Sequence, residues 1–464
     1  MIHNDKLVEN VQIAYIGGGS RGWARGLMSD LAVEESMSGT VKLYDIDYEA
    51  AKANEIIGNK LMSQHSDLMK NQWKYVAVQS LEKALNGANF VVISILPGTF
   101  DEMDSDVHTP EKYGIYQPVG DTVGPGGIVR SMRLIPMYVE IAQAIERFCP
   151  EAWIINYTNP MSICVRTLYE VFPRIKAFGC CHEVFGTQKL LAKMVEDDKN
   201  ISGVKREDIK VNVFGINHFT WLDKAQYRGE DLLPVYEKFI NKYYDEGFEL
   251  DEKGHWMNSV FACANRVKFD LFKRYGLIAA AGDRHLAEFC PAWYLKTPEI
   301  VKSWKFNMTT VGFRKQQLKE RLQQTHNLLN DVEKTEISIT GEEGVGQMKA
   351  LLGLGGLITN INIPNAGQIP TLPIGAVVES NAIFDNNSIT PVFAGCIPSD
   401  VNILILRHSV NQELVLKGTL NKDKNEILKA FCNDPLVNID INSAKKLLNE
   451  MMKNTAKYLE GWEI

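Results

Sequence analysis

The chain has no excess of positive charge. Lysine and arginine number 50 against 57 aspartates and glutamates, a formal net charge of −7, which leaves no electrostatic footprint for nucleic acid or anionic lipid. No apolar run approaches the roughly 18–20 residues needed to span a bilayer. The charged stretch Met1 to Asn10 lacks the apolar core of a secretory signal. Low-complexity tracts and internal repeats are absent, as is any Pro/Gly/Ser linker long enough to separate independent halves. Cysteine is sparse. Eight in 464 residues do not make a secreted disulfide framework, so the thiols read as reduced and the protein as cytoplasmic. What remains is an ordinary globular composition, 45% hydrophobic, with length enough for two domains that each bury a core.

What is present is alternation. Strands are expected at Val11 to Ile16, Val41 to Tyr44, Lys74 to Gln79, Phe90 to Leu96, Ala152 to Tyr157 and Lys176 to Cys180. Helices are expected between them at Arg25 to Val33, Ala50 to Ser66 and Gly127 to Phe148, the last kinked by Pro136. Six strands with intervening helices predict an α/β class and a doubly wound Rossmann domain over residues 1–195. Beyond that point the alternation blurs. Strands are suggested at Lys210 to Phe214 and Val377 to Glu379, and helices at Val267 to Tyr275, Gln316 to Val332 and Asn442 to Leu459. This predicts an α+β domain over residues 196–464, packed on the first in a layout that resembles malate and lactate dehydrogenases. It would carry substrate, metal and oligomer contacts.

Gly17-Gly18-Gly19-Ser20-Arg21-Gly22 ends the first strand and opens a helix. Glycine at Gly17, Gly19 and Gly22 suits a tight turn, close approach of a pyrophosphate and helix–strand packing, and the helix N-terminus adds N–H donors at Ser20 and Arg21. Asp45 ends the next strand, where an acid binds a ribose 2′-hydroxyl, which favours NAD over NADP. Cys181-His182-Glu183-Val184 ends the sixth strand, at the edge where open α/β sheets bind ligands, and His218 follows in Gly215-Ile-Asn-His218. Thiolate and imidazole suit a divalent transition metal. On residue types alone, a buried structural cysteine and a hydrogen-bonded core histidine are commoner, since positions 181 and 218 match no spaced metal motif. The loop Gly120 to Gly127 offers Asp121 either to a ligand or to a plain turn. The amides of Asn156 and Asn159 hold sugar hydroxyls or cap the next helix. Ala281-Gly282-Asp283-Arg284-His285 is dense in titratable groups; its alternative is a solvated ionic cluster.

In their shared order these stretches, together with Ile363-Pro-Asn365-Ala-Gly367, resemble glycoside hydrolase family 4. The Cys-His-Glu-Val form is similar to the α-galacturonidase group. The resemblance implies NAD and a divalent metal, usually Mn2+, the metal held by Cys181 and His218. It places Asn159 against the substrate, with Asp121, Glu183 and Arg284 as further substrate contacts, Arg284 toward a uronate carboxylate. It also implies a redox route: hydride leaves the sugar's C3 for NAD, C2 is deprotonated, the glycosidic oxygen is eliminated, water adds at C1 and the hydride returns. Asp283 is the implied base with Tyr275 as fallback, and His182 protonates the leaving oxygen or orients it. A homodimer or homotetramer acting on a small α-galacturonide is expected. Alternatives are an α-glucosidase, α-galactosidase or α-glucuronidase of the family, a 2-hydroxy-acid dehydrogenase, and a non-catalytic NAD-binding protein.

Overall fold

The apolar runs of the first third become parallel strands because helices cover both faces of each. The computed structural model describes residues 1–4, 7–65, 72–250, 255 and 257–464. Its first elements are β1 (Ile2–Asn4), β2 (Leu7–Ile16), α1 (Trp23–Ala32), β3 (Met37–Tyr44), α2 (Tyr48–Gln64), β4 (Trp73–Val78), α3 (Leu81–Leu85) and β5 (Phe90–Ile93). There follow α4 (Phe100–His108), α5 (Gly124–Phe148), β6 (Trp153–Asn156), α6 (Met161–Val171), β7 (Lys176–Gly179) and α7 (Glu183–Lys199). The parallel strands lie in the order β7-β6-β5-β2-β3-β4. That is the Rossmann arrangement, whose strand order reverses between β2 and β5. Helix α2 ends at Gln64; Ser66, to which the periodicity extends it, lies outside the described residues. Helix α5 continues across Pro136 as one element. Its faces feed two cores. Leu134, Tyr138, Ile141 and Ile145 pack with the sheet, and Val129, Met132 and Ile135 pack with the second half of the chain.

That second half opens with β8 (Ile209–Ile216), β9 (Phe219–Tyr227), β10 (Glu230–Asp231), α8 (Leu233–Tyr243), α9 (Arg266–Tyr275), β11 (Ile278–Ala279), α10 (Asp283–Phe289) and α11 (Pro298–Ser303). It continues with α12 (Val311–Leu329), α13 (Gly344–Leu351), β12 (Leu357–Pro364), β13 (Val377–Asp385) and β14 (Ser388–Pro391). Three helices close it: α14 (Ser399–Leu420), α15 (Lys424–Asn433) and α16 (Ile441–Asn454). Strands β8 to β11 form a small antiparallel sheet of their own. Strands β12, β13 and β14 instead join the Rossmann sheet, through antiparallel pairing of Asn362 with Gly179 of β7. The large sheet therefore crosses the division expected at residues 195 and 196. No described helix is long and apolar enough to cross a membrane.

The turn after β2 sits at the strand-order reversal. Gly17 adopts φ +90°, and a Cβ built there would lie 2.0 Å from the carbonyl oxygen of Ser94, just past β5. Neither the conformation nor the space admits a side chain. Gly17→Ala should cost about 1–3 kcal/mol of stability and weaken dinucleotide binding at least ~10-fold, since 1.4 kcal/mol is a factor of ten. Thermal melts and fluorescence titration with NAD check both.

Candidate active site

The glycine loop is built from its own backbone and one carboxylate. Gly17 and Gly18 both donate to the carbonyl of Tyr44 at 2.9 Å. Asp45 accepts from the amide of Gly19 at 2.8 Å and from that of Asp47 at 2.9 Å, which fixes it beside the loop. The Ser20 hydroxyl accepts from Trp23 N at 3.2 Å and so satisfies an orphan donor at the start of α1. Arg21 has its Nε buried without a partner among the described residues. A Cβ on Gly22 would lie 2.6 Å from Nη1 of Arg321, so a second guanidinium reaches this loop from α12.

Beyond the carboxyl ends of the parallel strands, three donor side chains from distant segments converge. Asp121 comes from the loop before α5, His218 from the β8–β9 turn and His285 from the first turn of α10. One donor atom of each lies within 4.8 Å of the others. The Asp121 loop is clamped on both sides. Buried Gln117 donates to Val123 O at 2.8 Å and accepts from Gly126 N at 2.9 Å. Glu288 of α10 accepts from the amides of Val119 and Gly120 at 2.6 and 2.9 Å, and burial pushes its carboxyl up to about 8. His218 is held at φ 64°, a left-handed conformation that costs a non-glycine residue on the order of 1–3 kcal/mol.

The proton positions follow from the hydrogen bonds. The Thr122 hydroxyl donates to Asp121 Oδ1 at 2.7 Å, and its oxygen lies 2.9 Å from Nδ1 of His218. With that proton directed at Asp121, Nδ1 is the protonated nitrogen and Nε2 keeps a free lone pair. His285 faces a carboxylate instead. Its Nε2 faces Glu183 Oε1 at 3.7 Å, and its Nδ1 is buried without a partner among the described residues. The two rings lie 3.8 Å apart, centroid to centroid. Burial, with His285 adding to it, pulls His218 down to about 3, and burial lowers His285 as well. Burial opposes ionisation of Asp121, but His285, His218 and Arg130 outweigh it and hold that carboxyl below the usual range. Two neutral imidazoles and a carboxylate, with His218 and Asp121 both oriented by the Thr122 hydroxyl, suit a divalent transition ion. Asn159 borders the trio. Its Nδ2 donates to Asp121 Oδ2 at 3.4 Å, Arg130 holds its carbonyl at 3.0 Å, and its own Oδ1 is buried without a partner among the described residues. That oxygen is left to accept from a ligand hydroxyl.

Cys181 stands outside the trio. Its thiol shares a hydrogen bond with Asn217, the residue before His218. Burial, then Glu379 and Glu183, push the thiol well above its ordinary value, so a thiolate there requires a cation. Glu379 of β13 is buried in a ring of amides, accepting from Asn360 at 2.7 Å, Asn362 at 3.0 Å and Asn217 at 3.4 Å. Burial lifts it to about 7. Glu183 accepts from Gly282 N at 2.6 Å. Burial opposes its charge, but His285, His218 and His182 hold the carboxyl well below the usual range. Its Oε1 faces Nε2 of His285. His182 is half-exposed, with Nδ1 2.6 Å from Glu342 Oε1, a partner that raises the imidazole.

Neither expected base belongs to the trio. Asp283 is fully buried, and its two oxygens accept from the backbone amides of Val267 and Lys268 at 3.2 Å. It satisfies orphan donors at the start of α9, and burial lifts it to about 6. Tyr275 packs edge-on against Trp221 at 5.8 Å, and the charged groups acting on it are Cys290, Arg274, Asp400 and Asp270, none of them in the trio. His285 is the residue that sequence reasoning passed over. It stands two positions from Asp283, in the segment marked as dense in titratable groups, and neighbours two apart on a helix face different ways. Arg284 donates to Thr309 Oγ1 and lies 5.0 Å from the ring of Phe261.

Comparison with known proteins agrees with this layout. The family 4 glycosyl hydrolase model matches residues 12–197, and the model of that family's C-terminal domain matches residues 213–437. The chain is 62% identical over 465 residues to an alpha-galacturonidase of Thermoanaerobacterium saccharolyticum, covering 100% of both chains. It is 54% identical over 453 residues to an alpha-galacturonidase of Bacillus subtilis, covering 98% of this chain and 99% of the relative. The crystal structure of lplD from Bacillus subtilis superposes with a TM-score of 0.91 at 55% identity, covering 96% of this chain and 100% of that one. A 6-phospho-alpha-glucosidase from gut microorganisms, crystallised with NAD and Mn2+, shares the fold at a TM-score of 0.80 and 18% identity, covering 98% of this chain and 100% of that one.

Thr122 gives a test of the trio that leaves every ligand atom in place. Thr122→Val should weaken Mn2+ binding ~10–100-fold, the usual effect of losing an orienting partner, and His285→Ala should weaken it further. Asp283→Ala should bind Mn2+ normally but melt lower, by about 1–2 kcal/mol for a lost cap. Calorimetric titration and thermal melts separate these outcomes.

Proposed function

The chain belongs to glycoside hydrolase family 4, and on that premise we propose that it hydrolyses α-galacturonides with NAD and a divalent metal, manganese for preference. The observation that carries the substrate class is 62% identity across the whole chain to an alpha-galacturonidase, together with the Cys181-His182-Glu183-Val184 turn. When bound, NAD supplies a reversible hydride acceptor for the sugar's C3, and the metal supplies Lewis acidity at the neighbouring sugar oxygens. Gly17, Gly19, Ser20, Arg21, Gly22 and Asp45 would hold the dinucleotide. Asp121, His218 and His285 would hold the metal, with Cys181 joined to the His218 turn through Asn217. The donor set fits: both imidazoles are neutral, Thr122 ties back Nδ1 of His218, and Glu183 faces Nε2 of His285.

The remaining residues position and protonate. Asn159 offers its unpaired Oδ1 to a sugar hydroxyl while its amide steadies Asp121. His182 is the one histidine of the site that faces outward, and Glu342 raises its imidazole, the direction that favours a donor to a leaving glycosidic oxygen. Trp23 stacks on Tyr157 at 5.3 Å and stands 6.4 Å from His182, an apolar wall for that step. We also place the enzyme in the cytoplasm as a homo-oligomer. The eight free cysteines support the first, and the exposed apolar Ile374, Phe393 and Ile403 support the second.

With 4-nitrophenyl α-galacturonide, hydrolysis should require NAD only in catalytic amounts, with no net accumulation of NADH. Chelation should abolish it and Mn2+ restore it. Faster cleavage of any neutral α-hexoside would overturn the substrate class, and stoichiometric NADH would replace the hydrolase with a dehydrogenase.

A further inference from the structure

Helix α12 carries two arginines seven residues apart, Arg314 and Arg321, which puts them on one face about 10 Å apart at 1.5 Å per residue. Both line the same cleft, between Trp23 and Tyr157 on one side and Glu342 on the other. Arg321 lies against Gly22 of the dinucleotide loop. Arg314 lies at the other end, where Asp121 is the acidic group acting on it and Arg284, Arg321 and Arg130 are the cations. Its ring neighbour is Phe261, 5.2 Å away, which it shares with Arg284.

The position is unfavourable for a cation on three counts. Arg314 is in the first turns of α12, next to the positive end of the helix dipole. Arg284 and Arg130 repel it. Its Nε is buried without a partner among the described residues, and a buried donor left unmet costs about 1–3 kcal/mol. Asp121 acts on Arg314 through its charge, but Nε makes no hydrogen bond to it among the described residues. This cation-rich end of the cleft therefore leaves a planar guanidinium with a donor in need of an acceptor. A carboxylate supplies that acceptor, and pairs with arginine in a two-point geometry.

We infer that Arg314, seconded by Arg284, receives the carboxylate of the uronic acid and is the residue that sets acidic over neutral sugars. This rests on the galacturonide reading above. The dinucleotide pyrophosphate is the other anion of the cleft, and Arg321 at Gly22 is placed for that one.

The test compares Arg314→Met, Arg314→Lys and Arg321→Met with the parent enzyme, each loaded with NAD and Mn2+. Arg314→Met should lower kcat/KM for nitrophenyl α-galacturonide ~10–100-fold, the range of a charge-assisted pair, mainly through KM. The α-galactoside should change less than ~3-fold, and NAD affinity as little. Arg314→Lys should recover part of the loss. Arg321→Met should weaken NAD and leave the galacturonide-to-galactoside ratio unchanged. Equal losses on both sugars, or a loss confined to NAD affinity, would overturn the assignment. Should the parent enzyme prefer the galactoside, the substrate reading fails by itself. Protection of the parent by free D-galacturonate in thermal melts, lost in Arg314→Met, would still support the carboxylate site; equal protection of both would overturn it.

Discussion

The cleft is organised about one buried carboxylate. Asp121 is within reach of two imidazoles, an amide and a threonine hydroxyl, and Arg130 and Arg314 face it as well. Without it, His218 and His285 would be two stacked rings in a low-dielectric pocket with nothing to balance a proton on either. Burial keeps the rings neutral, and Asp121 gives the guanidiniums a counter-charge. The loop that carries Asp121 is accordingly over-determined. Gln117, Glu288 and Asp434 all bond its backbone, the last through Gly124 N at 3.0 Å. Such clamping is what a preorganised electrostatic site requires.

The Rossmann half was legible in the sequence because its signals are local. Strand periodicity, a glycine turn at Gly17 and an acid at Asp45 each act within about thirty residues of one another, and each maps onto an element of the large sheet. The trio is not local. Asp121, His218 and His285 are joined by the topology of two sheets, and spacing along the chain carries no trace of that. The family resemblance brought Asn159, Cys181 and His218 to the right edge. It could not show that Asp283 turns back to cap α9 while His285 enters the cleft, because that depends on where α10 begins. Glu379 and Arg314 went unmarked for the same reason. A single acid in a strand and a single arginine in a polar helix are ordinary until their neighbours are known.

The cleft also explains why the chain does not divide cleanly. Its floor is the edge of the parallel sheet, but β12 and β13 extend that sheet with residues from the far end of the sequence. Asn360, Asn362 and Glu379, which border Cys181 and Asn217, come from those strands. A hinge between two independent bodies would tear this ring of amides, so adjustments on binding are confined to elements laid over the sheet. Helix α12 is one. It is tied to the Rossmann helices largely by polar contacts, including Arg25 to Thr325 and Lys60 to the carbonyls of Leu328 and Leu329.

The single pairing of Asn362 with Gly179 has a consequence in time. Strand β7 leaves the ribosome long before β12 exists, and until then its outer edge has no partner and its amides nothing to bond. A nascent chain released at that stage holds a complete dinucleotide fold with an open sheet edge next to Cys181, the geometry most prone to join a second copy edge to edge. Closure by β12 comes late in sheet assembly, followed by β13 and β14, and it is the step that covers this edge. An enzyme ordered this way acquires its cofactor platform early and its chemistry late.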